Sequence, residues 1–247
     1  MRIANDQLDR IMERASRALS AMDYLECEAR CLEALSLARG QENWPYYARI
    51  LMPLQESRRQ RRMIAAEGIV RLGSTDLGTE PATWLRHFPP PAGGCMVVTR
   101  PHLPETAASF VRLARGQRRF IEVLYADNAA SEPDWTLRSY SGPDVRSAVG
   151  APTADLVDRW ISRSEKQSIA PPGTGAHVPR VDQTVSATDW FLDACEGLGD
   201  TALARIDSKL KGAQRVEALE HCLQVVLDHE ILHQRLGNAA RDAGKGG

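Results

Sequence analysis

The sequence predicts a mixed α+β chain in which helices dominate: repeat-like helices at the amino end, a small central α/β unit containing a βαβ, and a helical hairpin at the carboxyl end. Three observations predict it. Apolar residues recur at helical spacing through residues 5–73 and again from Ser186 onwards. Between these regions lie two β-rich runs, "CMVVT" and "RFIEVLYAD", with a helical pattern between them. Stretches rich in Pro and Gly, 74–93 and 167–186, punctuate the whole.

Composition narrows the class. A chain of 247 residues holds one large domain or two to three small ones. The formal net charge of −1 gives no global field to attract a polyanion or a charged membrane. The opening "MRIANDQLDRIMERASRAL" alternates charged and apolar residues and does not resemble a secretory signal. No later run approaches the ~20 apolar residues of a membrane span. The five cysteines, Cys27, Cys31, Cys95, Cys195 and Cys222, are odd in number and contain no C-x-x-C pair, which suits reduced thiols and a cytoplasmic location.

Residues 5–39 read as two helices. In the second, Tyr24, Cys27, Cys31, Ala34 and Ala38 make one stripe at spacings of three and four, and Gly40 supplies the stop. The run "DYLECEARCLEALSLA" resembles the second helix of a tetratricopeptide repeat. Asp23, Tyr24, Ala34, Leu35 and Leu37 match that family's pattern, whereas Cys27 and Cys31 stand where Ala and an aromatic are commoner. The resemblance covers about one repeat and implies a helical hairpin of the protein-binding kind. The third helix, opened by Asn43 and Pro45, is expected to run to about Gly73 and to kink or split at Pro53. Residues 1–73 thus form a helical segment and 74–93 a linker.

Residues 94–166 are expected as the α/β unit. "CMVVT" reads as a buried strand, "PETAASFVRLARG" as a helix with Pro104 near its start, and "RFIEVLYAD" as a second strand, together a right-handed βαβ. "WTLRSY" and "VRSAV" add antiparallel strands, for a sheet of three to five. "TADLVDRWISRSEKQ" reads as an amphipathic helix with Leu156, Val157, Trp160 and Ile161 inward. Residues 167–186 then form a linker. In 187–240, Ser186 and Asp189 resemble a capping box before one helix, and a long final helix spans about Ala213–Ala240. Residues 241–247 are expected as a disordered tail.

The motif that most invites a chemical reading is "HEILH", residues 229–233. On a helix, His-Glu-x-x-His resembles the zincin metallopeptidases, in which two imidazoles hold zinc and the glutamate is the general base. That resemblance makes Glu230 the catalytic alternative. The third ligand is the difficulty, because only Asp242 follows as a carboxylate and Ala239 stands at the metzincin histidine position. Two metal sets are open: His229, His233 and Asp242, or a structural site of His229, His233, Cys27 and Cys31. The rival reading is a helix-packing seam. Leu219, Cys222, Val226, His229, His233 and Leu236 follow a three-four spacing, which turns both imidazoles inward with no metal. Zinc is therefore the alternative, and no cofactor is the main expectation.

"RRQRR" is the densest charge run. Arg58, Arg59, Arg61 and Arg62 are expected to be exposed and to contribute to a protein contact; four arginines without a wider basic field make a nucleic-acid partner the weaker fit. Arg100 and His102 follow the first strand, at the edge where open sheets bind ligands, but the flanking Pro101 and Pro104 suit a plain turn equally well. "AGGC" precedes that strand, the wrong side for a phosphate loop. The functional expectation is a non-enzymatic protein-interaction or scaffold protein, with a zinc-dependent hydrolase using the HEILH helix as the alternative.

Overall fold

The structure, a computed structural model, describes residues 2–74, 77–91, 93–129, 134–150, 160–162 and 187–245. It is an α+β protein with helices predominating, as the sequence predicts. Its internal contacts divide it into two compact units, one of residues 1–61 with 202–247 and one of residues 62–201. The boundaries fall inside helices rather than at the two expected linkers; of those, 167–186 lies outside the described residues.

The helical unit begins with a hairpin of α1 (Arg2–Ser20) and α2 (Tyr24–Gly40). Asp23 caps α2, its carboxylate accepting from the Glu26 amide at 3.2 Å. The expected stripe is buried, Tyr24, Cys27, Cys31, Ala34 and Ala38, and so is Leu35 beside it. A seventh buried residue on α2, Glu28, is a charge in the stripe. Helix α3 (Trp44–Glu67) runs unbroken across Pro53 and so does not split there. The carbonyl deprived of a donor there is that of Arg49, an exposed residue that water can serve.

The carboxyl-terminal elements correct the expected single long helix. Helix α7 (Gly212–Leu223) stops, and α8 (Glu230–Ala243) starts after a six-residue turn, 224–229. The six seam residues are nonetheless all buried, His229 and His233 at 1% and 2% exposure. Periodicity thus identifies the inward side correctly while missing that the backbone leaves the helix between them.

The second unit is built on a sheet of order β5-β4-β3-β2-β1-β6. Strands β1 (Ile69–Leu72), β2 (Gly94–Arg100) and β3 (Ile121–Ala129) are parallel, with α5 (Pro104–Gly116) joining β2 to β3 as the expected βαβ. Strands β4 (Asp134–Arg138) and β5 (Arg146–Gly150) continue antiparallel from β3. A short helix α4 (Pro81–Trp84) and a 3-10 turn (Leu85–His87) pack with α5 over one face, around Trp84, Phe88, Met96, Val98, Phe110 and Tyr125.

Two strands were not expected. β1 lies where the third helix was to continue, and β6 (Trp160–Ser162) lies where an amphipathic helix was expected, pairing antiparallel with β1. Leu156 and Val157 of that expected helix lie outside the described residues. Among the described residues the sheet therefore has six strands rather than three to five. Gly68 explains how helix becomes strand without a loop: a Cβ there would sit 2.0 Å from the Gly93 carbonyl oxygen. A Cβ on Gly93 would meet the Phe120 oxygen at 2.7 Å, and one on Gly94 the Phe88 ring at 2.2 Å. The "AGGC" glycines thus serve backbone approach at the foot of the parallel strands. The remaining helix, α6 (Ala187–Ala204), begins just after Ser186, which lies outside the described residues, so the proposed capping box does too.

Candidate functional site

The HEILH segment does not form the arrangement a zincin needs. His229 is the N-cap of α8, with φ −55° and ψ 116°, so it is not a helical residue one turn before His233. Its Nδ1 accepts from the Leu232 amide at 3.3 Å. The His233 Nε2 faces the Leu227 carbonyl oxygen at 2.9 Å. A carbonyl only accepts, so Nε2 carries the proton and is not a metal-binding lone pair. Glu230 is exposed and accepts from the Gln234 side chain at 2.9 Å. Asp242 is exposed and pairs with Lys245. The Cys27 thiol faces the Pro53 carbonyl, and all five cysteines are free and buried. Among the described residues, no three His, Cys, Asp or Glu side chains are placed to hold a metal ion. Neither ligand set raised by the sequence is assembled.

The imidazoles instead belong to a buried polar cluster of the helical unit. Arg58 donates from Nε to Glu28 at 2.7 Å and from Nη1 to the Leu227 oxygen at 2.9 Å, the same oxygen that His233 meets. Arg61 pairs with the other oxygen of Glu28. Glu28, Arg58 and Arg61 are at most 6% exposed. Burial first, and then the Arg58 charge, pushes the His233 imidazole down to about 4, so it is neutral near neutral pH. Hydrogen bonding to Cys27 and burial hold the Cys31 thiol protonated, far above its ordinary range.

This corrects the expectation for the arginine run. Arg59 is exposed, Arg62 is half-buried and paired with Glu196 at 2.5 Å, and Arg58 and Arg61 are interior charges. Their i, i+3 spacing turns them to one side of α3, where Glu28 waits. Glu28 was missed; a glutamate between Cys27 and Cys31 on a stripe at helical period is the signal that would have found it. His102 is likewise held in the core, its Nε2 at 3.0 Å from the Ser74 oxygen and its ring edge-on to Trp84, while Arg100 is exposed. No family model, curated protein or solved structure matches the chain at a significant level.

What the helical unit offers to a ligand is a groove of about 1120 Å³. The start of α3, the start of α7 and the last half of α8 line it. Trp44, Pro45, Leu210 and Ala239 supply apolar surface; Lys211, Arg215, Arg235, Arg241 and Lys245 are basic, against Glu42 and Asp242. Lys245 is committed to Asp242 and Arg241 to the Asn238 side chain at 2.6 Å. Among the described residues, Lys211, Arg215 and Arg235 have no ion-pair partner. Pockets for drug-sized molecules run ~300–1,000 Å³, so the groove is as large as the largest of them. No helix among the described residues is long and apolar enough to cross a membrane.

Proposed function

We propose that this chain is a cytoplasmic protein-interaction module whose binding surface is the groove of its helical unit. The supporting observation is that groove: as large as the largest small-molecule pockets, with apolar side chains beside three cations, Lys211, Arg215 and Arg235, that have no acidic partner among the described residues. Mixed apolar and charged surface of this kind suits a polypeptide ligand. The sequence resemblance to a tetratricopeptide hairpin points the same way, since that family binds proteins. Five free, buried thiols fit a reducing compartment. Arg58 and Arg61 take no direct part in such contact, being interior, and Arg59 lies outside the groove lining.

A photo-crosslinking residue at Ala213, inside the groove, tests the proposal in the full chain expressed in its native host. A discrete protein adduct is expected there and not from the same group at Met52, which is exposed and does not line the groove. Equal labelling at both positions, or none at Ala213, would overturn the reading.

A further inference from the structure

We infer that the ligand of this groove is an acidic, linear peptide segment of another protein, held by its carboxylates on Arg215 and Arg235 and by an apolar side chain on Trp44 and Pro45. The inference rests on the interaction reading above and names the chemistry of the partner.

Charge decides the sign. Five cations and two carboxylates line the groove, and after the Lys245–Asp242 pair is set aside, four cations face one carboxylate, Glu42. The amino end of α7 adds to this: Gly212 and Ala213 line the groove, and Lys211 gives that end no side-chain cap. A guanidinium donates to a planar carboxylate through two parallel N–H groups, which suits Asp and Glu side chains.

Acceptor groups in the lining separate peptide from nucleic acid. Helix α8 finishes in the groove, where Ala243 and Gly244 line it, and Glu42 is the lining carboxylate that no lysine or arginine pairs with among the described residues. Terminal helix carbonyls and carboxylates accept hydrogen bonds and carry negative charge. A phosphodiester backbone brings acceptors and negative charge at every repeat, so it finds no donor from Glu42 or from the last carbonyls of α8. A peptide brings N–H donors throughout and carboxylates only where its sequence places them. Trp44, half-buried, and Pro45, exposed, also line the groove and offer apolar surface to an interspersed side chain.

The test is a selection from displayed random peptides on the full-length protein, followed by binding of the leading peptide in solution. Selected sequences should be rich in Asp and Glu with an interspersed apolar residue. Binding should fall roughly tenfold or more in the Arg215→Glu/Arg235→Glu variant and weaken with added salt. A peptide with Lys at each acidic position should bind that variant, which also shows that the variant is folded. Selection of non-acidic peptides, failure to select any, or indifference to the double reversal overturns the inference. So does tighter binding of single-stranded RNA or of phosphatidylserine vesicles that the same reversal abolishes. An Ala213 adduct with a protein, together with failure here, would sink the acidic-peptide assignment alone; absence of both sinks the interaction reading as well.

Discussion

The His233 Nε2 and the Arg58 Nη1 each lie 2.9 Å from one atom, the carbonyl oxygen of Leu227. That oxygen sits in the turn between α7 and α8, so two side chains replace the amide that a continuous helix would have offered it. The opposite ring nitrogen of His233, Nδ1, is buried with no hydrogen-bond partner among the described residues.

The first prediction concerns pH. A histidine whose folded value is about 4, against 6.5 ordinarily, is protonated in the unfolded chain before it is in the folded one. Between those values the unfolded state binds more protons, so the stability this group contributes is full above 6.5 and drains away as pH falls towards 4. The gap is worth roughly 3 kcal/mol. His233→Leu should leave stability near neutral pH within about 1.5 kcal/mol of wild type, since Arg58 still serves Leu227 and an orphaned nitrogen is removed. Urea melts across that pH range should show a flatter dependence for His233→Leu; parallel curves would refute the assignment.

The second prediction concerns the interior charges. Glu28→Ala removes the buried carboxylate that Arg58 and Arg61 share and should cost about 3–5 kcal/mol. Arg59→Ala, one position along the same helix, should stay within about 0.5 kcal/mol. Chemical denaturation of the two variants decides it, and equal costs would mean that the run is a solvated face after all.

The third concerns the cap. His229→Ala removes the acceptor for the Leu232 amide and leaves a void, so it should destabilise by about 2–3 kcal/mol. His229→Asn should recover about 1 kcal/mol of that, because a side-chain oxygen can cap in the same place. A chelator should leave the Tm of wild type unmoved; a drop confined to wild type would mean that these imidazoles hold a metal.

The fourth belongs to the sheet unit. Gly68→Ala places a methyl 2.0 Å from a backbone oxygen that no rotamer change can move. It should cost upwards of about 3 kcal/mol, whereas Gly116→Ala, whose added methyl meets nothing within 4 Å, should be tolerated. Thermal melts of both variants test this, with similar Tm values refuting the close-approach account.

Elements with a period were legible. The βαβ from Gly94 to Ala129 and the inward residues of α2 and of the HEILH segment can be read from spacing alone, as can the turn residues around them. β1 and β6 could not be read this way, because strands of four and three residues carry no period of their own. β1 exists because β2 and β6 supply partners on both sides, and "IVRL" follows a helical run so closely that only Gly68 marks the change. The α7–α8 break was hidden for the opposite reason: the three-four spacing persists through a turn that keeps the same side inward. Glu28 escaped notice because a charge scores as surface until its two arginine partners, thirty and thirty-three residues away, are placed beside it. The groove draws on three stretches far apart in sequence, and no local pattern announces it.

The helical unit is assembled from residues 1–61 and 202–247, with 140 residues between them. On the ribosome, the first half must therefore wait for the second through roughly 7–30 s of synthesis at ~5–20 residues per second. In that interval Leu35, Leu51 and Leu54 lack Leu223 and Leu236, which share their apolar pocket in the finished unit. Glu28 can already meet Arg58 and Arg61, since all three have been made, but the Leu227 carbonyl that completes the cluster arrives almost last. A nascent chain of this design makes its leucines early and covers them late, and the interval between is the one in which non-native contacts compete with folding.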